Sequence, residues 1–120
     1  MASLNIPQSS STVEISIIDT TFRLLKVPAP PFMEPNMKGF ETFDACAYSF
    51  LIKHKDSKSG KERRLVFDLG GPKDYKNDLP PAVVHQFSQW GCEVIVDKYV
   101  SEILEENGVP LDSIEAVVWR

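Results

Sequence analysis

Ile114-Glu115-Ala116-Val117-Val118-Trp119-Arg120 decides how the rest of the chain is read. Ala116 to Trp119 is an unbroken apolar run, and Gly108 and Pro110 ahead of it break any helix. A short run bounded by breakers has the composition of a buried strand in a parallel sheet, where both faces are covered and no polar alternation is needed. In open α/β sheets the loops at the carboxyl ends of such strands hold the ligand. The expectation is a strand that carries the chain to a site, with the chemistry just past Arg120.

Upstream, Val100, Ile103 and Leu104 make one stripe of a helix, with Glu102, Glu105 and Glu106 as its solvated face rather than a metal site. Asp97 is expected to cap that helix and Gly108 to end it. An earlier helix is expected after Asp78-Leu79-Pro80-Pro81, since a first turn tolerates proline; it runs through Val83, Val84, Phe87 and Trp90 to Gly91. His85 lies among its polar positions without a partner four residues on, which reads as surface, not as a ligand. Cys92 to Val96 reads as a short strand or an extended connection.

Further back, Ala45–Ile52 and Leu65–Asp68 are strand candidates joined by the basic turn Lys53 to Arg64, a hairpin with a long tip. The lysines and arginines of the tip lack interleaved aromatics and sit beside Asp56 and Glu62, so it reads as a solvated loop and not a nucleic-acid contact. The second strand ends in Asp68-Leu69-Gly70-Gly71-Pro72, a carboxylate at the mouth of the sheet followed by residues that let the backbone turn tightly. An Asp in that setting more often hydrogen-bonds its own turn than performs chemistry.

Val13, Ile15 and Ile17 alternate with Glu14 and Ser16, the period of a half-buried strand, and Thr21–Leu25 reads as a second extended piece after a bend at Asp19-Thr20. Val27 to Phe43 carries Pro28, Pro30, Pro31 and Pro35 and is expected to be a long loop. Phe32, Met33 and Phe40 would serve it either as rim contacts over a substrate or, more commonly, as pins to its own core. Met1 to Thr12, rich in Ser, Asn, Gln and Pro, is expected to be a flexible tail, leaving 13–120 as the folded part.

The length of 120 residues suits one domain, and 42% hydrophobic with 25% charged residues is the balance of a folding chain. A net charge of −4 argues against nucleic-acid or anionic-membrane binding, which want clustered positive charge. Cys46 and Cys92 do not make a disulfide framework and read as reduced and partly buried. No signal-peptide core is seen, and no run approaches the roughly 20 apolar residues that span a bilayer, so a cytoplasmic protein is expected. The order of strands, hairpin, helices and final strand reads as α+β, a mixed sheet with helices on one face.

The alternating strand, the Pro-rich loop, Ala47-Tyr48-Ser49-Phe50-Leu51-Ile52, Val66-Phe67-Asp68-Leu69-Gly70, and Val100-Ser101-Glu102-Ile103-Leu104 through Asp112 to Trp119 together resemble the N-terminal part of a metallo-β-lactamase-fold hydrolase. The similarity is greatest to the fungal lactonase-like and lactamase-like branch. It implies the first half of an αββα sandwich. In that family the final strand runs into a His-x-His-x-Asp-His motif, whose imidazoles and carboxylate hold zinc and so generate hydroxide near neutral pH. The resemblance makes Asp68 a residue that supports the metal shell, and Phe32, Met33 and Phe40 substrate-loop candidates.

The only histidines are His54 and His85, and neither matches a family ligand position. The chain therefore supplies no metal site and no catalytic residue of its own, zinc being the cofactor of full-length relatives. The resemblance names an enzyme family while the chain lacks its ligands. The expectation is a truncated member of a lineage that opens lactone or lactam rings, inactive as a free chain. The alternatives are half of an active zinc hydrolase completed by a longer product or a second chain, and a non-catalytic protein-binding module. Half a sandwich leaves one apolar sheet face uncovered, which predicts a protein partner or self-association. Fungal detoxification or secondary metabolism is implied by the same analogy.

Overall fold

In the computed structural model, residues 11–119 are described, and the flexible tail expected at Met1 to Thr12 falls almost wholly outside them. β-Branched and aromatic residues from Val13 to Pro28 form one long strand, β1, not two pieces. The bend expected at Asp19-Thr20 is a bulge inside that strand: its register with the next strand shifts between Asp19 and Arg23, and Thr21 takes φ 58°. Three hydrogen bonds hold Thr21 in this left-handed conformation. Its N–H donates to Asp19 Oδ1 at 2.9 Å, and its hydroxyl oxygen accepts the backbone N–H groups of Asp97 and Lys98 at 3.0 and 2.9 Å.

β2 (Thr42–Lys55) starts earlier than expected, so the Pro-rich loop shrinks to the residues between Pro28 and Thr42. Glu62–Phe67 is β3, Glu93–Ile95 is β4 and Ala116–Val118 is β5. The sheet order is β4-β1-β2-β3-β5, with every pair antiparallel except β3 and β5, which run parallel. A short unanticipated helix, α1 (Tyr75–Asp78), precedes α2 (Pro81–Trp90), which ends where Gly91 takes φ 68°. The next helix, α3, spans Val100–Glu106. Asp97 does not cap it: the chain enters at Tyr99, whose N–H donates to Glu102 Oε2 at 2.7 Å, while the Asp97 N–H is taken by Thr21. The fold is α+β on a mixed sheet, as the element order indicates.

α3 lies on one face of the sheet. Val100 and Leu104 pack on Ile18, Leu51 and Val66, with Ile103, Val109 and Ile114 around them. Ser49, on the same strand as Leu51, is fully buried there, and its hydroxyl has no hydrogen-bond partner among the described residues. An unsatisfied buried hydroxyl costs on the order of 1 to 3 kcal/mol. Ser49→Ala is accordingly expected to raise the unfolding free energy by roughly 1 kcal/mol, measured by urea melts with an unchanged slope.

The opposite face is the surprise. Residues directly paired across strands share a face, so Ile15 and Ile17 stand beside Ile52 and Phe50, which stand beside Leu65 and Phe67, which stand beside Ala116 and Val118. No described helix covers them: Val13 is 53%, Ile15 56% and Ile17 69% exposed. The alternation found the strand correctly, but its apolar side points away from α3. The final strand is likewise not buried. Among the described residues β5 is an edge, paired only with β3, and Val117, Val118 and Trp119 are 48%, 44% and 76% exposed. The molecule is 22 Å thick, as one sheet with one helical layer should be, and its radius of gyration of 18.7 Å exceeds the roughly 14 Å of a compact chain this long.

Candidate functional site

β3 and β5 run side by side and end together, so the backbone after each emerges at one edge of the sheet. The Glu115 N–H donates to Arg64 O at 2.9 Å at the start of the pair, and the Asp68 N–H donates to Val118 O at 2.8 Å at its end. Asp68 then turns away with φ 66°. Its Oδ1 accepts the N–H groups of Leu69 at 2.7 Å and Gly70 at 2.9 Å. The carboxylate is thus committed to its own turn, as an Asp before glycines usually is.

Gly70 follows with φ 66° against Thr20, whose hydroxyl donates to Ala47 O at 2.8 Å. Beyond it Leu69, Pro72, Leu79, Tyr99 and Trp119 line a mainly apolar hollow of about 280 Å³ into which Asp78 also opens. This is where the carboxyl-end rule for α/β strands places a ligand. Lys73 lies 5.0 Å from the ring centroid of Tyr99, one of the lining residues, and 2.6 Å from Glu102 Oε2.

The other candidate residues lie elsewhere. Phe32 packs edge-on against Phe43 and Trp90, with ring centroids 5.7 and 5.6 Å away, which ties the Pro-rich loop to β2 and α2. Met33 and Phe40 are 38% and 37% exposed. Thr20, the β1 contact of Gly70, and Pro28, where the loop begins, are eight residues apart on that strand, up to about 27 Å at strand rise. Among the contacts of the described residues, none joins Phe32, Met33 or Phe40 to Asp68. Cys46 is exposed rather than partly buried; Cys92 is half-buried, and burial pushes its thiol pKa above the ordinary value.

Among the described residues, no group of three or more His, Cys, Asp or Glu side chains is placed to hold a metal ion. His54 lies on β2 beside Arg63 of β3, and His85 is exposed on α2. The donor set present does not fit a catalytic zinc site, which wants about three protein ligands. No helix among these residues is long and apolar enough to cross a membrane.

An ion cluster at the start of the β3–β5 pair escaped the sequence reading. Glu115 Oε2 accepts from Arg63 Nε at 2.6 Å, and Lys61 Nζ lies 3.8 Å from Oε1. Only the pairing of strands 52 positions apart makes the contact, so no local pattern announces it. The Arg63 hydrogen bond holds the Glu115 carboxyl below its ordinary pKa; Arg23 does the same for Asp19, Ser59 for Asp56 and Lys73 for Glu102. A carboxylate depressed in the folded state stabilises above its unfolded pKa and loses that contribution as pH falls through the folded one. Stability is therefore expected to hold at neutral pH and to fall once acid passes below the ordinary carboxylate values of 3.8 and 4.5. The fall should shrink in high salt, because these pairs are exposed; thermal melts at stepped pH and salt measure both.

No family model matches the sequence, and no solved structure matches it. Curated relatives do. Gamma-lactamase FDB1 of Fusarium pseudograminearum is 45% identical over 114 residues, 95% of this chain and 27% of that protein. Metallo-hydrolase mfmC of Annulohypoxylon moriforme is 31% identical over 120 residues, 97% of this chain and 29% of the relative. The chain is thus similar over nearly its whole length to one segment of fungal proteins named as a gamma-lactamase and a metallo-hydrolase. A protein named cytochrome P450 monooxygenase mpaDE, of Penicillium brevicompactum, is also 34% identical over 122 residues, 97% of the chain but 13% of its own length. One segment thus recurs in proteins with different names, and the name of a whole protein need not describe an eighth of it. The chain spans about a quarter of the lactamase and the metallo-hydrolase.

Proposed function

We propose that these 120 residues are the first sheet-and-helix layer of a zinc-dependent hydrolase that opens cyclic amides or esters, and that they act as its scaffold and not its catalyst. The observation that carries this reading is the parallel β3–β5 pair, whose two ends emerge side by side at Asp68 and Trp119. That edge is where a metal-binding loop would be seated, with the Asp68 turn bracing it from below. The names of the similar lactamase and metallo-hydrolase support the chemistry of the reading.

The metal would be held by residues other than the described ones, so no catalytic step is assigned to them. As a separate polypeptide they are expected to open no lactam ring. Residues 13–120 form one structural unit in this proposal, Phe32, Met33 and Phe40 belong to a loop that touches substrate in the whole protein, and the setting is cytoplasmic, in keeping with the free thiols Cys46 and Cys92. Detoxification or secondary metabolism in a fungus is the corresponding biological role.

A native mass spectrum of the protein from its own source tests the reading. A species heavier than 13.5 kDa that carries zinc is the expected result. A metal-free species at 13.5 kDa would overturn it in favour of a second reading, a protein-binding module, for which the exposed apolar sheet face is the supporting observation.

A further inference from the structure

We propose that Asn107-Gly108, where α3 ends, is a self-modification site: the Gly108 nitrogen displaces the Asn107 amide as ammonia, at a rate set by opening of the last helical turn, and the acid left behind loosens α3 from the sheet. The chemistry belongs to α3 and does not rest on the hydrolase reading. Asn5, Asn36 and Asn77 are followed by Ile6, Met37 and Asp78, whose side chains shield the next peptide nitrogen. Glycine has no such shield, and its backbone turns most freely. Asn107 is exposed, and among the described residues an added Cβ on Gly108 would meet nothing within 4 Å, so water reaches both groups.

In the folded chain both reacting groups are engaged. Asn107 Nδ2 donates to Ile103 O at 2.8 Å, and the Gly108 N–H donates to Glu105 O at 3.0 Å. When the turn opens, the Gly108 nitrogen bonds to Asn107 Cγ and gives up its proton, the Cγ–Nδ2 bond breaks, and Nδ2 leaves as ammonia. Water, the only co-reactant, then opens the cyclic imide at either carbonyl. Aspartate results or, with the backbone rerouted through the side chain, isoaspartate. The product suits its place poorly. Its negative charge sits among the unpaired carbonyls of the α3 end, next to Glu105 and Glu106, and the donor to Ile103 O is gone. Isoaspartate also lengthens the backbone ahead of Val109, whose N–H donates to Leu104 O at 2.9 Å and whose side chain packs against the core.

Peptide mapping by mass spectrometry on the 120-residue polypeptide, held folded at mildly alkaline pH and body temperature, is the test. The mass gain of amide-to-acid conversion is expected at Asn107 before any other asparagine, with isoaspartate among the products. In denaturing urea the same chain should convert roughly tenfold faster or more, since the two hydrogen bonds no longer have to break first. Asn107→Asp, which carries the charge from the start, should unfold at lower urea than the wild type. Asn107→Gln, which keeps the amide, should stay closer to the wild type and gain no mass at this position. No gain at Asn107, an equal gain at Asn36 or Asn77, the same rate folded and unfolded, or an Asn107→Asp chain as stable as the wild type would each overturn the inference.

Discussion

Gly70→Ala is expected to lower the unfolding free energy by roughly 3 kcal/mol, from two separate causes. Gly70 holds φ 66°, a left-handed conformation that costs an L side chain about 1 to 2 kcal/mol. An added Cβ would also stand 2.7 Å from the Cβ of Thr20, and crowding a closed contact costs about 1 to 3 kcal/mol more. Thr20 has little freedom to retreat, because its hydroxyl donates to Ala47 O and accepts the Phe22 N–H. The same push reaches Asp68, whose Oδ1 holds the Gly70 N–H. Ser49→Ala, stabilising on its own, provides a background in which the loss can be measured if Gly70→Ala leaves too little folded protein. A loss under about 1 kcal/mol in urea melts would mean that the turn is not packed on β1 as described.

Leu104→Ala should cost a similar amount, about 3 kcal/mol within the usual range of roughly 2 to 5 for a leucine deleted from a core. Leu104 is 5% exposed and is one of the two α3 residues that press on Ile18, Leu51 and Val66. The core is small, and the large hydrophobics left in water outnumber those inside it. Typical domains have only about 5 to 15 kcal/mol of stability in total, so the variant should be partly unfolded near body temperature. Chemical denaturation at room temperature with the wild type alongside measures the difference; a loss near zero would mean that α3 is not seated on the sheet.

Where the sequence carried information, it carried periodicity and punctuation. Period two marked β1, the two apolar runs flanking the basic tip marked the β2–β3 hairpin, and the proline entry and glycine exit framed α2. What it could not carry was which side of a strand is wet. Val13, Ile15 and Ile17 have the same pattern whether a helix covers them or nothing does, and only the position of α3 on the other side decides. The composition of Ala116, Val117 and Val118 was equally silent for β5, since an apolar run does not distinguish a central strand from an edge, and among the described residues this strand has a neighbour on one side alone. The bulge at Thr21 was legible as a bend but not as a bulge, because the Asp97 and Lys98 amides that hold it come from 76 and 77 positions away. Of the candidate site, the Asp68 turn was readable locally from Asp-Leu-Gly-Gly. The Glu115 cluster was not, since strand pairing creates it.

We propose that these residues form the opening layer of a lactamase-like hydrolase, and a chimera puts that to the test. The most direct measurement replaces the matching segment of gamma-lactamase FDB1, 45% identical over 114 residues, with this chain and assays lactam hydrolysis. A soluble chimera with activity within about tenfold of the parent is expected, a difference of no more than about 1.4 kcal/mol in the barrier. A chimera that melts cooperatively yet hydrolyses no lactam would contradict it.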